Sequence, residues 1–177
     1  MTERLWVFGY GSLIWNPCFT VERQVVARLD GWHRSFCMWS VHYRGTEDSP
    51  GLVLALDAAP EASCAGIAFL VTAGAEEAAM AELRARELVS SAYLETTVTV
   101  QGPEGAINCI AYVIDPAHAQ YCGGMALADQ AAVIARASGL MGPNRDYLRN
   151  TVLHLDQLGI PDEDLHQLAR MVDELSP

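Results

Sequence analysis

One carboxylate, Glu87, sits where helical spacing expects an apolar residue. Ala75 to Leu88 reads as a helix, and Met80, Leu83 and Glu87 fall on one face of it at i, i+3 and i+7. Met80 and Leu83 mark that face as apolar, so Glu87 points where apolar groups are expected. It also lies in the last turn, where the partial negative charge of the helix opposes its own. Both effects disfavour ionisation and raise the pKa, a common route to a general acid/base. The competing reading is a helix-end carboxylate paired with Arg84 or Arg86 and facing water. Glu95, on a strand just downstream, is the second carboxylate to consider.

A partner for such a group lies near the start of the chain. Leu5 to Phe8 is a short apolar run, and Gly9-Tyr10-Gly11-Ser12-Leu13 follows it directly. Glycines flanking a tyrosine allow close approach to the main chain and let successive N–H groups gather around an anion or oxyanion. A dinucleotide fingerprint fits badly, because Ile14 occupies the place of its third glycine and Asn16-Pro17 obstructs a helix start. Ser12 lacks the Gly-x-Ser-x-Gly setting of a strained nucleophile. The plain alternative is a tight turn leaving a core strand. Arg44, Tyr121 and Tyr147 lie in or beside loops and are weaker candidates, since tyrosines at such places more often pack or cap. The histidines show no acid–base partner at informative spacing and receive no role.

Composition narrows the chemistry. The net charge is −11, which argues against nucleic acid and anionic membranes as partners. All 11 basic residues are arginine and lysine is absent, which removes lysine Schiff bases and P-loop lysines. Arginine matches carboxylates bidentately, so any buried arginine is a candidate carboxylate clamp. The 5 cysteines are scattered without metal-ligand spacing and read as buried thiols of a reducing compartment. No apolar run approaches the roughly 20 residues of a membrane span. Met1-Thr2-Glu3-Arg4 leads straight into a strand-like run, so no signal peptide is expected and the cytoplasm is the default.

The elements that must position these residues follow in order. Strands are expected over Glu22–Leu29 and Trp32–Met38, separated by an Asp30-Gly31 turn, and over Leu52–Asp57 and Ala65–Val71. Trp39 to Gly51 is a long polar loop, of a length that favours a functional role. Tyr93–Val100 and Ile107–Ile114 are further strands around a Gly102-Pro103 turn. Leu127–Ser138, Asn144–Leu158 and Glu163–Leu175 are helices, with Asn144 as N-cap and Gly159 and Pro161 closing one helix before the next. At 177 residues this is an α+β fold in a single domain, 1–177.

Taken together, Phe8-Gly9-Tyr10-Gly11-Ser12-Leu13-Ile14-Trp15 resembles the signature of the ChaC-type glutathione-specific γ-glutamylcyclotransferases. The resemblance continues through Tyr43-Arg44-Gly45-Thr46 with Pro50-Gly51-Leu52, Arg86-Glu87-Leu88 with Tyr93, Tyr121-x-Gly123, Asn144 to Leu148, and Asp164-Leu165-His166. It implies a small mixed β-barrel with packed helices. It also implies a lyase that cleaves glutathione to 5-oxoproline and Cys-Gly without metal or cofactor. The loop Tyr10, Gly11, Ser12 and Leu13 would cradle the γ-glutamyl end, Glu87 would be the acid/base, and Tyr121 and Tyr147 would line the pocket with Arg44 near by. Two departures stand out: Ser91-Ala92 replaces a pair of glycines found in many relatives, and Cys122 replaces a leucine or alanine. They bear on substrate preference, and leave open other γ-glutamyl peptides or amines, or a non-catalytic γ-glutamyl-binding module.

Overall fold

The computed structural model describes residues 3–176; Met1 and Thr2, with which the expectation of a leaderless start begins, lie outside the described residues. Five strands close a barrel in the order β1-β3-β2-β4-β5, where β1 is Trp6–Gly9, β2 Val21–Ser40, β3 Gly51–Val71, β4 Tyr93–Gly102 and β5 Gly105–Ile114. The barrel is mixed. β1 runs antiparallel to β3 (Trp6 opposite Leu70, Gly9 opposite Ile67) and parallel to β5 at Val7 and Ile110. The α+β class and the small mixed barrel are therefore what the chain forms.

Two expected breaks are not breaks. Asp30-Gly31 does not separate one strand from another, because Gly31 takes φ +87° inside a continuous β2. A positive-φ glycine lets a strand change its twist without ending. Leu52–Asp57 and Ala65–Val71 likewise merge into β3, Pro60 included. The β4–β5 hairpin holds its register from Tyr93 opposite Ile114 to Gly102 opposite Gly105, with Gly105 at φ +126° supplying the turn.

The chain divides into two compact units, Met1–Arg34 with Leu56–His118, and Ser35–Ala55 with Ala119–Pro177. The first holds β1, β4, β5, most of β2 and β3, and helix α1 (Glu76–Glu87). Two apolar clusters flank β1. Phe8 packs with Leu56, Val98, Val100 and Val113, and Val7 packs with Val71, Ala79, Leu83 and Tyr112. Fully burying a side chain such as Phe8 is worth about 1.5–3 kcal/mol, so a strand of four residues is held firmly by its two faces.

The second unit carries α2 (Leu127–Arg136), α3 (Asn144–Gln157), α4 (Glu163–Leu175) and a short hairpin of β6 (Ser138–Gly139) and β7 (Gly142–Pro143). Leu165, Leu168 and Val172 bury one stripe of α4, which packs on α2 and α3. Asp162 caps α4 by accepting from the Leu165 N–H at 3.1 Å. Gly159, at φ +73°, closes α3 as expected, with the Ile160 N–H reaching back to the Leu155 carbonyl. Asn144 is not the N-cap. Pro143 takes that position, and the Asn144 amide is drawn instead to β3, where it accepts from the Leu52 N–H and donates to the Leu52 carbonyl, both at 2.8 Å.

Candidate active site

Leaving β1, the chain makes one 3-10 turn over Ser12–Ile14, closed by the Ile14 N–H on the Gly11 carbonyl at 2.9 Å. Such a turn leaves its first N–H groups, those of Gly11, Ser12 and Leu13, outside its own ladder. The side chains on either side of them point inward. Tyr10 is buried in the Phe8 cluster and donates to the Tyr112 carbonyl at 2.7 Å. Leu13 is buried in the Val7 cluster. Tyr10 and Leu13 thus hold the loop by their side chains, and what the loop can offer a ligand is its backbone and the half-buried Ser12.

Two arginines fix that backbone. Arg34 of β2 is 5% exposed, and its Nη1 donates to the carbonyls of Tyr10 (3.1 Å) and Ala65 (2.8 Å). Arg86 of α1 donates from Nη1 to the Asn16 carbonyl (2.6 Å) and from Nη2 to Ser12 Oγ (2.7 Å). Neither role is evident from the sequence by itself. The available signal for Arg34 is a cation at the alternate position otherwise filled by Trp32, Phe36 and Met38.

Glu87 ends α1 with its side chain only 15% exposed, on the side of Leu83 and Ala79. Burial pushes its carboxyl above the ordinary value, opposed by the Arg86 cation, whose Nε lies 3.6 Å from Oε1. The other carboxylate is pushed the opposite way. Glu95 accepts from Arg84 Nε and Nη2 (3.0 and 2.9 Å) and from the Tyr112 hydroxyl (2.9 Å), and these donors hold its carboxyl below the ordinary range. Two carboxylates driven apart in this way divide the possible roles. The partners of Glu95 favour its ionised form, and the burial of Glu87 disfavours its own.

The remaining sequence-derived candidates belong to the second unit. Arg44 donates from Nη1 to the Pro143 carbonyl at 3.1 Å, and its guanidinium lies 5.6 Å from the centre of the Tyr147 ring. Tyr147 accepts from the Leu54 N–H at 3.4 Å and meets Phe36 edge-on. The Arg44 loop is close-packed, because a Cβ on Gly45 would strike Gly51, and one on Gly139 would strike the backbone at His42 and Gly45. Gly139 carries no motif of its own; the Ser138-Gly139 and Gly142-Pro143 pairs around it are turn-forming dipeptides that could have marked this approach. Tyr121 pairs with Met38 as an isolated bridge, and its ring lies where a Cβ on Gly123 would go, which explains the Tyr-x-Gly spacing.

The two departures also find places. Ser91 takes φ +60°, the one non-glycine residue with positive φ among the described residues, so serine holds a backbone shape suited to glycine. The Cys122 N–H donates to the Cys37 carbonyl at 2.8 Å, and burial beside Cys37 pushes its thiol up to about 12, leaving it neutral. Among the described residues no three His, Cys, Asp or Glu side chains are grouped to hold a metal, and no helix is long and apolar enough to cross a membrane. An open groove of about 570 Å³ runs beside α1, but Glu3, Glu76 and Glu77 line it and its one arginine, Arg84, is engaged by Glu95. It does not suit an anion.

The chain is similar to known proteins over nearly its whole length. A family model described as ChaC-like protein matches residues 5–175. The glutathione-specific γ-glutamylcyclotransferase of Escherichia coli (strain K12) is 34% identical over 172 residues, covering 97% of this chain and 74% of that one. The γ-glutamylcyclotransferase 2-3 of Arabidopsis thaliana is 35% identical, covering 95% and 88%. The crystal structure of a yeast γ-glutamyl cyclotransferase specific to glutathione superposes with a TM-score of 0.89 at 21% identity, covering 99% and 98%, which shows the shared fold. With a family match over nearly its whole length and relatives of this identity covered over 74% and 88% of their own length, the chain belongs to the ChaC-like family.

Proposed function

We propose that this protein is an enzyme, a lyase that cleaves glutathione by intramolecular cyclisation of its γ-glutamyl group, releasing 5-oxoproline and Cys-Gly. Its relatives bearing that name support the reaction. The observation that carries the residue assignment is Glu87, a mostly buried carboxyl raised by desolvation and joined through Arg86 to the Tyr10–Leu13 loop.

The chemistry follows from the substrate. The α-amine of a γ-glutamyl group is already at five-membered-ring distance from its own γ-carbonyl, so the protein has only to hold the folded conformer and collect the orientation benefit. An ammonium cannot attack. Glu87 takes its proton, the nitrogen bonds to the γ-carbon, and the carbonyl becomes an oxyanion. Backbone N–H groups of Gly11, Ser12 and Leu13 are the donors for that oxyanion, each such donor being worth about 3–4 kcal/mol when well aimed. As the C–N bond to the cysteinyl residue breaks, protonated Glu87 gives its proton to the departing nitrogen; the ring nitrogen sheds its second proton to the freed carboxylate or to water and becomes the lactam N–H, and the released amine of Cys-Gly takes up the other as an ammonium. Atoms and charge balance without a covalent intermediate. On the family resemblance, Arg44, Tyr121 and Tyr147 are further candidates for substrate binding; Arg44 and Tyr147 pair as a cation over a ring, and the arginine is suited to a carboxylate.

The substrate is a small molecule, with neither nucleic acid nor membrane as partner, no cofactor required, and the cytoplasm as the place of action. An α-N-acetylated glutathione tests the cyclisation directly. A cyclotransferase leaves it uncleaved, because the nucleophile is blocked, whereas a hydrolase still cuts it and releases Cys-Gly. Turnover of simple γ-glutamyl dipeptides, measured beside glutathione, reports how far the preference extends.

A further inference from the structure

Arg86 lies in the last turn of α1, where a cation complements the helix's partial negative charge. That alone would leave it facing water. Instead its guanidinium is spread over three partners. Nη1 reaches the Asn16 carbonyl at 2.6 Å, Nη2 reaches Ser12 Oγ at 2.7 Å, and Nε stands 3.6 Å from Glu87 Oε1. The first two are hydrogen bonds; the third is an ion-pair distance too long for one. Glu87 is therefore attracted without having a lone pair closed off, and stays open to a substrate proton.

The two loop contacts bracket the 3-10 turn, Ser12 at its start and Asn16 just beyond its end. On the other side, Arg34 and the Tyr10 hydroxyl pin Tyr10, two residues ahead of the turn. Of these anchors, Arg86 alone comes from the helix that carries Glu87. We propose that Arg86 is a positioning residue, whose fork ties the substrate loop to the end of α1 and so sets the distance between the proton-carrying carboxylate and the loop's N–H groups. This rests on the acid/base reading of Glu87. A planar guanidinium can serve all three partners at once, and an ammonium cannot.

A role in holding geometry differs from a role in general stability through its effect on Glu87. Among the described residues, the groups in electrostatic reach of this carboxyl are Arg86 from its own helix, Cys18 from the segment after the 3-10 turn, and Tyr112 from β5. Burial raises both the Cys18 thiol and the Tyr112 phenol, so both stay neutral and Arg86 is the cation of the set. Removing it leaves desolvation unopposed and drives the carboxyl further up.

The test compares Arg86→Gln, Arg86→Lys, Ser12→Ala and Glu87→Gln for kcat, KM and the pH dependence of kcat/KM on glutathione. Arg86→Gln is expected to lower kcat by about 10- to 100-fold, the scale of a small misplacement of reacting groups, with KM less affected. Its acid limb moves to higher pH. Arg86→Lys restores the acid limb but not kcat, because charge returns without the fork. Ser12→Ala lowers kcat with the acid limb unmoved, and adding it to Arg86→Gln costs little more, since both remove one link. An Arg86→Gln enzyme with an unshifted acid limb, or one impaired only in KM, overturns the proposal. Full activity in Glu87→Gln instead overturns the acid/base reading, whatever Arg86 does. If Arg86→Gln does not fold, the Arg86→Lys and Ser12→Ala pair decides, since wild-type kcat in both is the contrary result.

Discussion

At the scale of single residues, burial sets Glu87 apart and hydrogen-bond donors set Glu95 apart. Glu87 and Glu95 are the same chemical group, 8 positions apart, and their surroundings push them in opposite directions. A carboxyl held above its ordinary value of 4.5 binds its proton more tightly in the folded than in the unfolded chain. Its contribution to stability is therefore present in acid and lost as pH rises through the folded pKa. Glu87→Gln removes that loss. The variant should match the wild-type melting temperature near pH 4 and exceed it at pH 7–8; a variant less stable at neutral pH would contradict the burial argument. Much of this was legible in the sequence, because the helical spacing of Met80, Leu83 and Glu87 turned the carboxyl toward Leu83 and Ala79. The capture of Glu95 by Arg84 and Tyr112 was not, since a strand's alternation does not say which face a partner occupies.

At the scale of elements, α1 and α3 show how side chains of a helix finish what a strand leaves open. Asn144 and Tyr147, at i and i+3 on α3, meet alternate residues of β3, Leu52 and Leu54. Asn144 and Leu52 are both fully buried. Asn144→Leu would strand a buried N–H and a buried carbonyl, and should cost about 2–4 kcal/mol, read as a lower urea midpoint. An unchanged midpoint would mean that water or a shifted backbone replaces both bonds. From sequence, Asn144 beside a helix start looked like a cap; the buried edge of β3 is a tertiary demand that local spacing does not carry. The same holds for β2 and β3, where Gly31 and Pro60 suggest breaks but pairing along the barrel keeps both strands continuous. The link from α1 to β4 is the other telling element. Ser91 holds φ +60° there, four residues after Glu87, while Ala92 is fully buried and accepts from the Asp115 N–H. This explains how a chain lacking the glycine pair still makes the turn.

At the scale of the whole molecule, the barrel and its helices were legible as an α+β layout, and closure into a mixed barrel came from resemblance rather than from periodicity. Each compact unit is assembled from two separate segments, and the chain passes between them three times, within β2, within β3 and after His118. We propose on that basis that 1–177 folds as one domain. Urea unfolding followed by far-UV circular dichroism and by tryptophan fluorescence should give coincident transitions; two separated transitions would contradict it. The chemistry proposed for the molecule turns on one proton, the one Glu87 carries. It is read from the rate of 5-oxoproline release from glutathione by wild-type protein and by Glu87→Gln, with glutathione binding measured on both. Equimolar 5-oxoproline and Cys-Gly are expected from the wild type, and a loss of about 100- to 10,000-fold in the variant with binding retained. Release at the wild-type rate by Glu87→Gln would contradict the assignment.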